Sequence, residues 1–125
     1  MSVQLMPHVD TYYYLATPYS KYPGGIDWAY RLACEQAAWL IKQGVPVFSP
    51  IAHSHGIADH GGINPFDHGV WLPADKPMMA AASALIVVKA PGWKESLGIA
   101  YEIKEFKSEG KPIWWMLPRE PPSKW

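Results

Sequence analysis

The run Ala84-Leu85-Ile86-Val87-Val88, followed closely by Pro91-Gly92-Trp93-Lys94-Glu95-Ser96-Leu97-Gly98-Ile99-Ala100-Tyr101-Glu102, decides the fold of this chain. Uninterrupted apolar residues ending in Ile and Val predict a strand buried on both faces, as in a parallel sheet. A Ser-x-Gly turn then opens a helix, with Glu102 four residues after Gly98. A carboxylate is thereby set one turn inside a helix that starts at the carboxyl end of a strand. Open α/β sheets bind ligands at that edge. Glu102 is the leading candidate for a catalytic nucleophile.

The rest of the chain reads as alternating strands and helices. Residues 11–16, rich in tyrosine, predict the first strand. A Pro- and Gly-rich loop over 17–25 leads to a helix over 26–43, with Asp27 as a candidate cap and Gly44 at its end. Residues 45–48 predict a short strand, and Pro46 places it at an edge. Residues 49–70 carry many Gly, His, Pro and Asp with no clean period, and are expected to form a long functional loop. A short helix is expected over 72–82 with Pro73 in its first turn. A helix over 94–108 is closed by Gly110, a last strand covers 112–117, and residues 118–125 form a Pro-rich tail. The expected architecture is a single-domain, doubly wound α/β sandwich with four or five parallel strands and right-handed crossovers.

Composition narrows the function. At 125 residues the chain can bury roughly two thirds of its unfolded surface, so folding requires no metal or disulfide. A net charge of +0 and the lack of a basic block argue against a nucleic acid polymer as partner. Cys34 stands alone in an apolar helical pattern, which fits a reduced, cytoplasmic setting. The first ten residues lack the pattern of a secretory leader, and no apolar run approaches the roughly 20 residues that span a bilayer.

With the first loop and the Ser-x-Gly-x-x-x-Glu helix in place, the chain resembles the nucleoside 2-deoxyribosyltransferase-like superfamily, closest to its small phage and bacterial members. Three blocks carry the resemblance: Tyr14-Leu15-Ala16-Thr17-Pro18-Tyr19-Ser20; Trp71-Leu72-Pro73-Ala74-Asp75; and Pro91 to Glu102, followed by Gly110-Lys111-Pro112. Together they cover most of the chain from Tyr14 to Trp114. The resemblance implies a flavodoxin-like sandwich that cleaves or transfers at the N-glycosidic bond of a (deoxy)nucleoside or nucleoside monophosphate. By position, Glu102 would attack the anomeric carbon, Asp75 would help protonate the departing base, and Tyr14 would orient the glutamate. In relatives that act on monophosphates a serine like Ser96 and the first loop hold the phosphate, which makes Thr17, Pro18, Ser20 and Lys21 of that loop candidate substrate-binding residues here. The resemblance implies no cofactor and a homo-oligomer. Where many relatives carry Ala-Asp before the third strand, this chain has Ala82-Ser83, and its first loop lacks their arginine. Nucleoside and nucleotide both remain open.

The residues themselves support such chemistry. Cleaving an anomeric carbon–nitrogen bond passes through an oxocarbenium-like state that a carboxylate stabilises, while a second acid serves the leaving group. The expected division keeps Glu102 ionised and Asp75 protonated near neutrality. Backbone N–H groups at Ser96 to Gly98 offer an anion site, and Gly98 allows close approach. Tyr19, Tyr22 and Trp93 are candidates to stack on a base. His53 or His55 is expected to line the cleft. The histidines His53, His55, His60 and His68 with Asp59 and Asp67 also admit a metal-dependent hydrolase, although their spacing matches no standard zinc signature. A non-catalytic nucleotide sensor on the same fold is the alternative function.

Overall fold

The computed structural model describes residues 5–124; Trp125 and the first four residues, part of the segment searched for a leader, lie outside the described residues. In chain order the elements are β1 (Tyr13–Ala16), α1 (Ile26–Lys42), β2 (Val47–Phe48), α2 (Pro50–Gly61), α3 (His68–Ala81), β3 (Ala84–Val88), α4 (Leu97–Ser108) and β4 (Ile113–Met116). The four strands form one all-parallel sheet in the order β2-β1-β3-β4. This is a flavodoxin-like α/β arrangement. The expected edge strand is at an edge: Pro46, unable to donate, instead offers its carbonyl to the Tyr13 N–H at 2.9 Å.

Every residue of β1 and β3 is buried, as their apolar runs require of central strands. Alternation then divides the core in two. Tyr13, Leu15, Ile86 and Val88 face one side, where they pack with Leu40 of α1 and Met116. Tyr14, Ala16, Leu85 and Val87 face the other, against Met79 of α3 and Ile99 and Phe106 of α4. The α1 residues Ala29, Ala33, Gln36 and Leu40 are buried at steps of three and four, the stripe expected of a helix on a sheet. Residues after β4 turn back so that Ser123 pairs with Trp115, which covers the outer edge of β4.

Three expectations are corrected. The segment 49–70 is not a long loop: it contains α2 and the start of α3. Ser49 caps α2 by accepting from the Ala52 N–H at 3.1 Å, Pro50 takes the first turn, and Gly62 closes it in the left-handed region (φ 71). The next helix begins at His68, capped by Asp67, so Pro73 lies in its interior together with Pro77. Asp27 does not cap α1; it lies in the first turn behind Gly25. No described helix is long and apolar enough to cross a membrane.

The direction of strand addition reverses at β1: the chain goes from β1 outward to β2, then crosses back over β1 to β3, with all strands parallel. The crevice beyond the C-terminal ends of β1 and β3 is where such sheets bind ligands.

Candidate active site

Three elements deliver the site. β1 supplies Tyr14, whose ring is wedged between Phe48 at 5.8 Å and Phe106 at 5.7 Å. In α4 the buried stripe runs from Ile99 to Phe106, and Glu102 lies on it, three residues from one and four from the other. A carboxylate is thus fixed on an apolar helix face. Ser96 starts that helix by accepting from the Ile99 N–H at 3.1 Å. In α3, Asp75 lies one turn before the buried Met79, so both point the same way.

Their side chains meet in a cavity of about 120 Å³ at the C-terminal rim of the sheet. Its floor and walls include Tyr14, Asp75 and Glu102, with Thr17 and Ser20 from the first loop and Ser96 and Gly98 from the start of α4. Four more aromatic rings line it: Tyr19, Phe66, Trp71 and Tyr101. One wall is Pro50, Ile51 and Ser54 of α2. The loops are locked together behind it. Gly92 adopts φ 91, and a Cβ there would lie 2.4 Å from the Lys21 carbonyl oxygen. A larger, more open groove of about 820 Å³ between α1 and α2 has no comparable pair of enclosed carboxylates.

Enclosure dominates the electrostatics. Burial pushes the Glu102 carboxyl up to about 8; the neighbouring Asp75 charge adds to the rise, and the Tyr14 hydroxyl opposes it. Asp75 also rises, to about 6, through loss of solvent, with His53 acting the other way. The Tyr14 phenol is held far above its usual range by burial and by the two carboxylates. Its hydroxyl stands beside Glu102 without a hydrogen bond of full geometry, and Thr17 Oγ1 is likewise buried and unpartnered. Buried polar atoms without partners in a cavity wall are available to a ligand. Both carboxyls are raised, Glu102 chiefly by burial and Asp75 chiefly by loss of solvent, so near neutrality the pair retains a proton between them, and Glu102 is not the freely ionised member that the division of roles expects. The cause is position, because Glu102 lies on the buried stripe of its helix.

Of the residues selected from the sequence, Tyr14, Thr17, Tyr19, Ser20, His68, Asp75, Ser96, Gly98 and Glu102 come together around the cavity. Pro18, Lys21, Tyr22, His53, His55 and Trp93 do not line it. Pro18 is buried behind the loop, and Lys21 contributes its backbone to the packing on Gly92. Trp93 packs edge-on against Trp115, ring centres 5.7 Å apart. His53 is exposed beside Phe48, and His55 turns towards α1. Among the described residues, no three His, Cys, Asp or Glu side chains are grouped to hold a metal ion. Trp71, Phe66, Tyr101 and Ser54 are wall residues that sequence reasoning passed over. The signal for Trp71 was present: His68, Trp71, Leu72, Asp75 and Met79 recur at helical spacing.

Comparison with curated protein sequences gives no match. The pattern defining the family described as a domain of unknown function, DUF1937, matches residues 11–117, a span that contains every residue of the cavity wall. The chain therefore belongs to the DUF1937 family.

Proposed function

We propose that this protein cleaves or transfers at the N-glycosidic bond of a (deoxy)nucleoside or nucleoside monophosphate, as its resemblance to the nucleoside 2-deoxyribosyltransferase-like superfamily implies. The observation that supports this most is the convergence of Glu102 and Asp75, with the Tyr14 hydroxyl beside the glutamate, in one aromatic-walled cavity. A Glu102 oxygen bonds to the anomeric carbon as the carbon–nitrogen bond breaks. The electron pair of that bond stays with the base nitrogen, which takes the Asp75 proton. Water or a second base then attacks the anomeric carbon, releases Glu102 and returns a proton to Asp75.

This sequence requires the single shared proton on Asp75 at the moment of attack. Positive charge developing at the anomeric carbon favours ionised Glu102, so the transition state draws the proton across to Asp75. The cavity volume, about 120 Å³, is below the roughly 300–1,000 Å³ of many small-molecule sites. It suits one ring enclosed over the carboxylates, with the rest of the ligand at the mouth. The α4 N-terminus, with the buried Thr17 hydroxyl, offers donors to an anionic group there. The reading also expects a cytoplasmic homo-oligomer, whose subunit number light scattering on the purified protein would measure.

The test is base release from a panel of nucleosides and nucleoside monophosphates, followed by chromatography. Release that disappears in Glu102→Ala is expected. A nucleotide that binds without turnover would favour the sensor, and activity abolished by a chelator would favour a metal-dependent hydrolase.

A further inference from the structure

Behind the cavity wall, side chains with no part in the reaction converge on Tyr19. The Tyr19 hydroxyl is 2.7 Å from His55 Nδ1, and the other ring nitrogen, Nε2, is 3.3 Å from Asp27 Oδ1. The Tyr30 ring lies flat on the imidazole, centres 4.3 Å apart and 16° from parallel. Asp27 and Tyr30 are three residues apart on α1, so one helix face presents both to His55 of α2. The His55 side chain is 11% exposed, whereas Asp27 is 94% exposed.

The hydrogen-bond directions follow from the chemistry. A carboxylate attracts an N–H and repels a ring lone pair, so the nearby Asp27 favours the tautomer with its hydrogen on Nε2. In that neutral tautomer Nδ1 is an acceptor, and the Tyr19 O–H donates to it. Burial and the Asp27 charge raise the Tyr19 pKa, which keeps the phenol a donor.

Tyr19 lines the cavity and His55 does not. The hydroxyl is therefore engaged at the back of the wall, and the ring is what Tyr19 presents to a ligand. Phe66 extends the same surface, its ring centre 5.9 Å from that of Tyr19. The loop carrying Tyr19 runs through Pro18, Pro23, Gly24 and Gly25 and contains no regular element. Without an anchor, its tyrosine would lose rotamer freedom on each binding event.

We propose that Asp27, His55 and Tyr30 form a positioning relay that fixes the Tyr19 ring as the stacking surface for the planar aromatic part of the ligand. The class of ligand rests on the functional reading above; the relay itself rests on the contacts around His55. These residues act through Tyr19, so their loss loosens binding and leaves the chemical step intact.

The experiment measures KM and kcat on the nucleoside or nucleoside monophosphate that wild type turns over. The variants are Tyr19→Phe, His55→Phe, the double variant and Asp27→Asn. Tyr19→Phe keeps the ring without its hydroxyl, and His55→Phe keeps a ring on Tyr30 without the hydrogen bond to Tyr19 or the contact with Asp27. Each single change is expected to raise KM about three- to tenfold with kcat within about twofold. The double variant is expected to be no worse than the weaker single one, because both break one chain of contacts. Asp27→Asn, at a position whose side chain is 94% exposed, should move KM the same way by less. Turnover by wild type with KM unchanged in all the variants, or additive losses in the double variant, would overturn the relay alone. Absence of both turnover and binding across the panel in wild type would overturn the functional reading and the stacking role with it.

Discussion

Substituting glutamine for Glu102 keeps the shape of the side chain and removes its ability to ionise, so it isolates the cost of holding a charge on the buried face of α4. The carboxyl rises from an ordinary 4.5 to about 8 in the folded chain. The folded state therefore keeps its proton over a range in which the unfolded state has released it. Stability must fall as pH climbs from about 4.5 towards 8, and the full cost is present above that. At about 1.4 kcal/mol per pH unit the interval has a ceiling on the order of 5 kcal/mol. Glu102 retains some exposure and part of the rise belongs to its pairing with Asp75, so about half, on the order of 2–3 kcal/mol, is the expected gain for Glu102→Gln at pH 9. For a domain of this size that is a rise in Tm of roughly 6–12 °C. At pH 5 both proteins carry a neutral side chain there, and their midpoints should agree within roughly 2 °C. Thermal unfolding followed by circular dichroism from pH 5 to 9 measures the difference. A gap that stays constant across pH, or a variant less stable than wild type at pH 9, would refute the assignment of Glu102 as a destabilising buried acid.

The same two carboxyls predict a bell-shaped kcat/KM for the proposed reaction, with limbs near 6 and 8 that belong to the pair. Below the lower limb both are protonated and no nucleophile exists; above the upper one both are ionised and no acid remains. A flat profile from pH 5 to 9 would contradict it. Tyr14→Phe removes a buried hydroxyl that has no full hydrogen bond. It should change stability by less than about 1 kcal/mol in urea unfolding, while kcat falls at least about tenfold through loss of orientation at Glu102. Gly92→Ala places a methyl 2.4 Å from the Lys21 carbonyl oxygen at a positive φ, and should cost on the order of 2–4 kcal/mol by the same assay.

Several features were legible residue by residue. The apolar run of β3 read as a buried parallel strand, Pro46 pointed to an edge strand or a strand start for β2, and Ser96 ahead of Gly98 marked the start of α4. The helix α2 was missed because His53, Ser54, His55 and Gly56 hide any apolar period, although its caps were in plain view as Ser49-Pro50 and Gly61-Gly62. Capping chemistry defined the element where hydrophobic pattern did not. His55 illustrates the opposite failure. Its position just past β2 suggested the cleft, but helical phase turns it towards α1, where Asp27 and Tyr30 receive it.

The sequence by itself determined the parallel α/β architecture and which edge of the sheet carries the crevice, because strand burial, turn residues and helix caps are local chemistry. Only the tertiary structure decided that Tyr14, Asp75 and Glu102 share one small cavity, since residues 14, 75 and 102 are brought together by crossovers and not by spacing. It also decided that both carboxyls are raised together. That depends on how completely each is removed from water and how close the other charge lies, and neither can be read along a chain.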